Sequence, residues 1–255
     1  MTLFLDLDGP ILDVSRRYYR AHQLCRGADP PAKLGPAEFW ELKRARATMG
    51  EVLARDGVSP GEAPDYAARW RELIEAPAHL LLDQPWPGVH ALLAAWRPLH
   101  QLVLVTLRQR PEALRDQLHR LQLAPLFHEI LQASPEHPEG WREKERLLRG
   151  SPRFAAGAWV IGDTEIDIRA GKLAGLRTVG VLNGIRRRGL LEAENPDYLV
   201  EDLGGLSQVL EWTAAPQPET AARNGNGVPP SGGLRTRTPE GESPDQVLPG
   251  HSQGG

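Results

Sequence analysis

Three short apolar runs, each closing on a polar residue, constrain this chain more than any other feature. Leu3, Phe4 and Leu5 lead into Asp6 and Asp8. Residues 102–105 lead into Thr106, and residues 159–161 into Gly162 and Asp163, with Asp167 four residues beyond. Each run is too short for a helix and reads as a strand. Segments of helical periodicity separate them, and strand–helix alternation predicts an α/β fold with a parallel sheet covered by helices on both faces. In such open sheets ligands bind beyond the carboxyl ends of the strands, so the three polar ends are expected at one site.

Asp6 and Asp8 set the chemistry expected there. Residues i and i+2 of a strand point the same way, but at a strand end the backbone can turn and give the two side chains different tasks. Two carboxylates this close repel, and in apolar surroundings one of them gains a proton or a cation. A divalent metal with oxygen ligands meets that need. The plain alternative is a strand that ends in a polar turn at Gly9 and Pro10.

Residues 15–80 contain no strand pattern. Tyr18, Tyr19 and His22 share one helical segment, and a second runs from Pro36 through Phe39 and Trp40 towards Leu53. Residues 57–64 read as a loop. Tyr66, Trp70, Leu73 and Ile74 form a third amphipathic face. The expected division is a core of residues 1–14 and 81–212, a helical insert of residues 15–80, and a tail of residues 213–255. In the core, residues 127–133 and 177–182 read as strands, residues 134–140 as a loop, and residues 141–148, with Lys144, as a helix. Gly175 is expected as a left-handed helix cap. The tail alternates proline and glycine with few apolar residues, a composition expected to remain disordered.

The totals exclude several classes. With 30 Lys and Arg against 33 Asp and Glu, no basic excess points to nucleic acid. Cys25 is the single cysteine, which rules out an intrachain disulfide and a structural cysteine zinc site. No apolar run reaches a membrane span, and no signal-peptide pattern precedes the first strand. The expectation is a cytoplasmic protein, monomer or homodimer, with neither nucleic-acid nor membrane partners.

Taken together, Asp6-Leu7-Asp8-Gly9 with Asp13, then Thr106, Lys144 and Gly162-Asp163 with Asp167 resemble the motif series of the haloacid dehalogenase-like (HAD) hydrolase superfamily. Order and spacing match over residues 1–212. The resemblance implies a Rossmann-like sheet, with residues 15–80 as a small α-helical cap of the phosphoglycolate-phosphatase-like branch. It implies Asp6 as a nucleophile that forms an aspartyl-phosphate, and Asp8 as acid and then base. Mg²⁺ would be bound by Asp6, the main-chain carbonyl of Asp8 and Asp163, with Asp167 as a ligand or a partner to one. Thr106, Lys144 and the main chain near Leu107 would hold phosphoryl oxygens, and the substrate would be a small phosphorylated metabolite.

The residues leave alternatives open. Asp163 and Asp167 also suit the start of a helix, Asp13 reads better as a helix start than as a catalytic group, and Lys172 competes with Lys144. Arg108 could touch substrate or be solvated. Arg16, Arg17, Lys43 and Arg44 could meet an anionic substrate, with Tyr19 and Trp40 as a wall, while residues 186–188 read as a solvated loop. The family usually has Thr where Pro10 stands; Asn is common at Leu107 and Pro at Glu145. These departures motivate a second reading, a catalytically weak binding or regulatory protein of the same fold. A phosphosugar mutase, using the same residues, is a third.

Overall fold

The computed structural model describes residues 1–27, 32–133 and 140–214. Strand β1 (Thr2–Leu5) opens the chain, and β2 (Leu12–Asp13) follows after a tight turn. A helical insert comes next: α1 (Ser15–Arg26), α2 (Pro36–Arg44), α3 (Met49–Arg55), α4 (Ala63–Leu73) and α5 (Pro77–Leu80). The chain returns through β3 (Gln84–Pro85), antiparallel to β2. Then come α6 (Val89–Trp96), β4 (Gln101–Thr106), α7 (Pro111–Arg120), β5 (Glu129–Gln132) and α8 (Gly140–Gly150). The last elements are β6 (Trp159–Gly162), α9 (Glu165–Leu173), β7 (Arg177–Val181), α10 (Arg188–Ala193), β8 (Tyr198–Val200) and α11 (Leu203–Ala214).

Six strands form one parallel sheet in the order β5-β4-β1-β6-β7-β8. Its strands are apolar throughout because both faces are covered. Leu3 and Leu5 pack with Leu93, Leu114 and Leu206 of α6, α7 and α11. Phe4 points the other way, to Leu148 and Ala170 of α8 and α9. This is the period-two alternation of a strand, read on a fully buried element. The register pairs Leu5 with Leu104 on one side and with Ile161 on the other. Asp6, Thr106 and Asp163 therefore leave the sheet at the same edge, at the switch in strand order.

The insert has cores of its own, one around Cys25, Leu53, Val58 and Tyr66, another around Leu34, Phe39 and Val52. Buried Asp56 ties it together by accepting from the amides of Lys33 and Leu34 and facing His22 and Arg26.

Several boundaries differ from expectation. The loop of residues 57–64 contains a 3-10 turn at Pro60–Glu62, and α4 has begun by Ala63. The β2–β3 ribbon is invisible in sequence because two residues carry no periodicity. The last helix runs to Ala214, two residues past the expected core. The remainder of the tail and most of the 134–140 loop lie outside the described residues. Gly175 has φ of 73°, as the helix cap at the end of α9 requires. Residues 186–188 are a solvated loop only in part: the side chains of Arg187 and Arg188 are exposed, while that of Arg186 is largely buried. Arg186 pairs with Glu165 at 2.8 Å, Arg187 donates its amide to the Arg44 carbonyl at 3.1 Å, and Arg188 starts α10. Three cations in a row read as solvated in sequence, but Arg186 and Arg187 meet acidic groups and carbonyls of the insert and of α9. No helix is long and apolar enough to cross a membrane among the described residues.

Candidate active site

The turn after β1 separates the two leading carboxylates. The Asp6 amide continues the sheet by donating to the Ile161 carbonyl at 2.9 Å. The chain then folds sharply, with the Leu12 amide donating back to Leu7 at 3.0 Å and the Trp86 indole donating to the Gly9 carbonyl at 2.6 Å. Gly9 has φ of +104°, and a Cβ there would overlap the Asp163 carboxylate. Glycine is thus required twice over, for the conformation and for the close approach. Asp13 accepts from the Ser15 amide at 2.9 Å and so starts α1, away from the site.

Asp6 faces an acidic cluster. Carboxylate oxygens of Asp6, Asp163 and Asp167 all lie within 4.8 Å of one another. Lys144 reaches them from α8, 2.9 Å from Asp6 Oδ1 and in contact with Asp167 Oδ1. Asp163 accepts from the Ile185 amide through Oδ2, while its buried Oδ1 has no hydrogen-bond partner. Asp167 uses Oδ2 to accept from the Thr164 amide at 3.0 Å and hydroxyl at 2.6 Å, which caps α9. Thr164, not Asp163, occupies the cap position, so Asp163 remains available to the site. The close fit extends to Gly162, where a Cβ would strike Asp167.

The electrostatics follow from burial and like charge. Burial pushes the Asp6 carboxyl up to about 7, with Lys144 pulling it down and Asp167 raising it. Burial, then the charges of Asp6 and Asp167, hold the Asp163 carboxyl well above its ordinary range. Three carboxylates face one ammonium, an imbalance of two negative charges in a buried, all-oxygen setting. A divalent hard cation fits that imbalance and the unpartnered Asp163 oxygen.

Asp8 faces the opposite way. Arg108 Nη2 lies 2.6 Å from Asp8 Oδ1, and Arg17 Nη2 2.6 Å from Oδ2. Both guanidiniums also reach Asp83, at 3.2 Å from Arg108 and 3.0 Å from Arg17. Gln117 completes the group, accepting from Arg108 at 3.2 Å and donating to Asp83 at 2.7 Å. Arg17 and Arg108 are 1% and 4% exposed, so this is an interior network. Burial alone would raise the Asp8 carboxyl, but Arg108 and Arg17 outweigh it and hold the group far below the usual carboxylate range.

These groups open on a cavity of about 240 Å³. Asp6, Asp8, Thr106 and Lys144 lie at its polar end, and Tyr18, Trp70 and Ile74 of the insert lie among its walls. Leu107 lines it with Ile166. The insert is tied over the core from two sides. The Glu75 carboxylate accepts from the amides of Gln109 at 2.9 Å and Arg110 at 3.0 Å. Arg44 donates to the Leu182 carbonyl at 2.9 Å.

The structure brings Asp6, Asp8, Thr106, Leu107 and Lys144 to one cavity, with Asp163 and Asp167 beside Asp6. Lys172, the competitor to Lys144, donates to the Glu194 carbonyl instead, on the exposed side of α9. Tyr19 and Trp40 do not wall the cavity; they line a separate surface hollow with Arg16. Tyr18 and Trp70 take that place, because α1 turns Tyr18 inward and α4 crosses it. Arg17, Arg108, Asp83 and Gln117 are the residues that sequence reasoning undervalued. Only the position of Arg108 two residues after Thr106 hinted at this; nothing in the sequence pointed to Asp83 or Gln117.

The chain is similar to known proteins in both sequence and fold. The HAD-hydrolase-like family profile matches residues 126–206. A phosphoglycolate phosphatase from Pseudomonas putida is 23% identical over 216 residues, 80% of this chain and 77% of that protein. Pyrophosphatase PpaX from Bacillus mycoides is 34% identical over 74 residues, but that stretch is 29% of this chain and 33% of the relative. Among solved structures, a haloacid dehalogenase-like family hydrolase from Streptococcus pneumoniae superposes with a TM-score of 0.65 at 20% identity. The match covers 83% of this chain and 97% of that one. A predicted phosphoglycolate phosphatase from Haemophilus somnus gives 0.61 at 17% identity, with the same coverage. At these identities the structural likeness establishes the fold.

Proposed function

We propose that this chain, which belongs to the haloacid dehalogenase-like hydrolase superfamily, is a Mg²⁺-dependent phosphatase that hydrolyses a small phosphomonoester through an aspartyl-phosphate on Asp6. The observation that carries this reading is the separation of Asp6 from Asp8: one carboxylate beside Lys144 and the acidic cluster, the other between two guanidiniums. A nucleophile and a proton-transfer group need such different surroundings.

Asp6 attacks phosphorus, forms the Asp6 Oδ–P bond and expels the leaving oxygen; water then attacks phosphorus and restores the carboxylate. Lys144 and the Thr106 hydroxyl hold phosphoryl oxygens, with the ammonium acting as a fixed charge on the developing negative charge. Asp6, Asp163 and the main chain at Asp8 would hold Mg²⁺, with Asp167 orienting Lys144 and the start of α9. When bound, the metal shields the incoming phosphate from the carboxylates and stabilises its oxygens. Asp8, kept ionised, is in the form that takes a proton from the attacking water. Departure of an alcohol needs the protonated form, so substrate binding must loosen one guanidinium contact to Asp8 before that proton is delivered. The walls of the insert exclude bulk water from both steps.

The test is phosphate release from a panel of small phosphomonoesters, with and without Mg²⁺, by wild type, Asp6→Asn and Asp8→Asn. Metal-dependent release is expected, falling by roughly 10⁴-fold or more in Asp6→Asn and by about 10²- to 10⁴-fold in Asp8→Asn. Release that survives Asp6→Asn would refute the covalent route. An isomerised sugar phosphate in place of free phosphate would identify a mutase.

A further inference from the structure

The cavity is polar at one end and apolar at the other. Its cations gather at the polar end. Lys144 lies between Asp6 and Asp167. Every guanidinium nitrogen of Arg17 and Arg108 lies within 3.2 Å of an oxygen of the protein. Both guanidiniums also reach Asp83, so the one that loosens from Asp8 stays at that end. Glu75 of the insert lines the cavity too, with its carboxylate on the amides of Gln109 and Arg110. Burial works against the Arg108 charge, and Asp8, Asp83 and Glu75 outweigh it. Two guanidiniums thus face three carboxylates, and the charge left over is negative.

The rest of the wall is apolar. Tyr18, Trp70 and Ile74 come from the insert, Leu107 and Ile166 from the core. Tyr18 and Trp70 meet edge to face at 5.5 Å. Leu107 and Ile166 converge over Gly140, where a Cβ would meet Ile166 Cδ1 at 3.0 Å and Leu107 Cδ1 at 3.4 Å. Leu107 stands where the phosphoglycolate-phosphatase-like branch commonly has Asn, so a branched apolar chain replaces a hydrogen-bonding amide. The other cations of the insert considered above lie off this wall. Arg16 lines the separate surface hollow, Arg44 donates to the Leu182 carbonyl, and Lys43 packs on the Trp70 and Tyr18 rings without lining the cavity. Among the described residues Arg17, Arg108 and Lys144 are the only cations that line it. An anionic group entering the apolar end would lose its water and meet Glu75. An apolar group gains by burial there.

We propose that the substrate is the phosphomonoester of an uncharged, predominantly apolar alcohol. This rests on the phosphatase reading above and narrows its substrate class. The phosphoryl group sits at Asp6 and Lys144. The body of the alcohol packs between Tyr18, Trp70 and Ile74 of the insert and Leu107 and Ile166 of the core. The aromatic rings offer such a body contact area and edge-to-face packing. Selection works in both directions: the apolar wall favours this alcohol, and Glu75 with the low local dielectric disfavours one that carries a carboxylate or a second phosphoryl group.

The experiment is steady-state phosphate release by the full chain, in Mg²⁺, from esters whose leaving groups are all alkyl alcohols. Methyl phosphate reports the bare chemistry. Benzyl phosphate adds an apolar ring, glycerol 3-phosphate an uncharged polar chain, and 2-phosphoglycolate a carboxylate. The kcat/KM for benzyl phosphate is expected to exceed that for 2-phosphoglycolate by about 100-fold or more, with glycerol 3-phosphate between them. A ratio of two kcat/KM values does not depend on how much of a variant is folded. Ile74→Lys is expected to cut the ratio of benzyl phosphate to 2-phosphoglycolate by roughly 10-fold or more, and Ile74→Leu to leave it within about 3-fold. If glycerol 3-phosphate or 2-phosphoglycolate is turned over as well as benzyl phosphate, the proposal is overturned and the phosphatase reading stands. A ratio that Ile74→Lys leaves unchanged also overturns it, because the alcohol then lies off this wall. No release from any of the esters overturns both readings.

Discussion

The two ends of the site solve the same electrostatic problem in opposite ways. Around Asp6, three carboxylates, two of them buried, share one ammonium, and one oxygen of Asp163 has no hydrogen-bond partner. Around Asp8, two carboxylates meet two guanidiniums and an amide, and the charges balance. The first end carries a charge imbalance that a cation from outside would settle; the second is balanced in charge by the chain's own side chains, although Arg17 Nε and Asp83 Oδ1 make an ion pair without a hydrogen bond. A buried charge is tolerated only when paired and hydrogen-bonded. The difference therefore separates a binding site from a structural brace that also presents a reactive group.

The largest effect is expected from breaking the balanced end. Arg108→Met leaves Asp8 and Asp83 sharing Arg17 alone, and removing one member of such a buried network costs about 3–5 kcal/mol. Urea unfolding of the two proteins at neutral pH measures it. A loss below about 1 kcal/mol would mean that Arg108 is not integral to the fold and serves the substrate alone.

The unbalanced end should show itself in the pH dependence of stability. In metal-free protein the Asp6 carboxyl titrates near 7, above its unfolded value of about 4. The folded state then binds the extra proton between these values. Stability contributed by that proton is full below about pH 4 and is lost as pH rises through about 7. The buried Asp163 carboxyl, also raised, acts in the same direction. Asp8 has the opposite sign: its depressed carboxyl adds stability above about pH 4 that is lost in acid. Unfolding of chelated wild type across pH 4–7 should therefore slope more steeply downward than that of Asp6→Asn, and saturating Mg²⁺ should flatten the slope. Identical slopes with and without Mg²⁺ would remove the case for a cation at this end.

The smallest effect is expected where neither problem arises. Arg187 and Glu41 join core and insert at 2.7 Å, but both are more than half exposed. Arg187→Ala should shift stability by less than about 1 kcal/mol, since exposed pairs gain little over solvent. A larger loss in thermal unfolding would show that the tether between insert and core carries more of the fold than its exposure suggests.

Legibility in the sequence tracked distance along the chain. The apolar runs before Asp6, Thr106 and Asp163 identified the strands and their shared edge, because continuous apolar character and a polar stop are local properties. Lys144 was recognisable by order along the chain but had Lys172 as a rival; only the packing of α8 against α9 places one ammonium on Asp6 and the other on Glu194. One aromatic wall was misjudged by one helical position, Tyr19 in place of Tyr18, a rotation of about 100° that neighbouring aromatics in a helix leave ambiguous; the other, Trp70 in place of Trp40, lies in a different helix and depended on how α4 packs against α1.

The sequence by itself determined the parallel sheet, the helical insert and the three polar strand ends, since these follow from patterns within ten or so residues. Tertiary structure alone decided that Asp8 is clamped by Arg17 and Arg108, and that Asp83 and Gln117 complete the clamp. Those pairings join residues 9 to 100 positions apart. Their charges read as ordinary surface groups until folding removes the water around them, and burial then makes the choice of partner decisive.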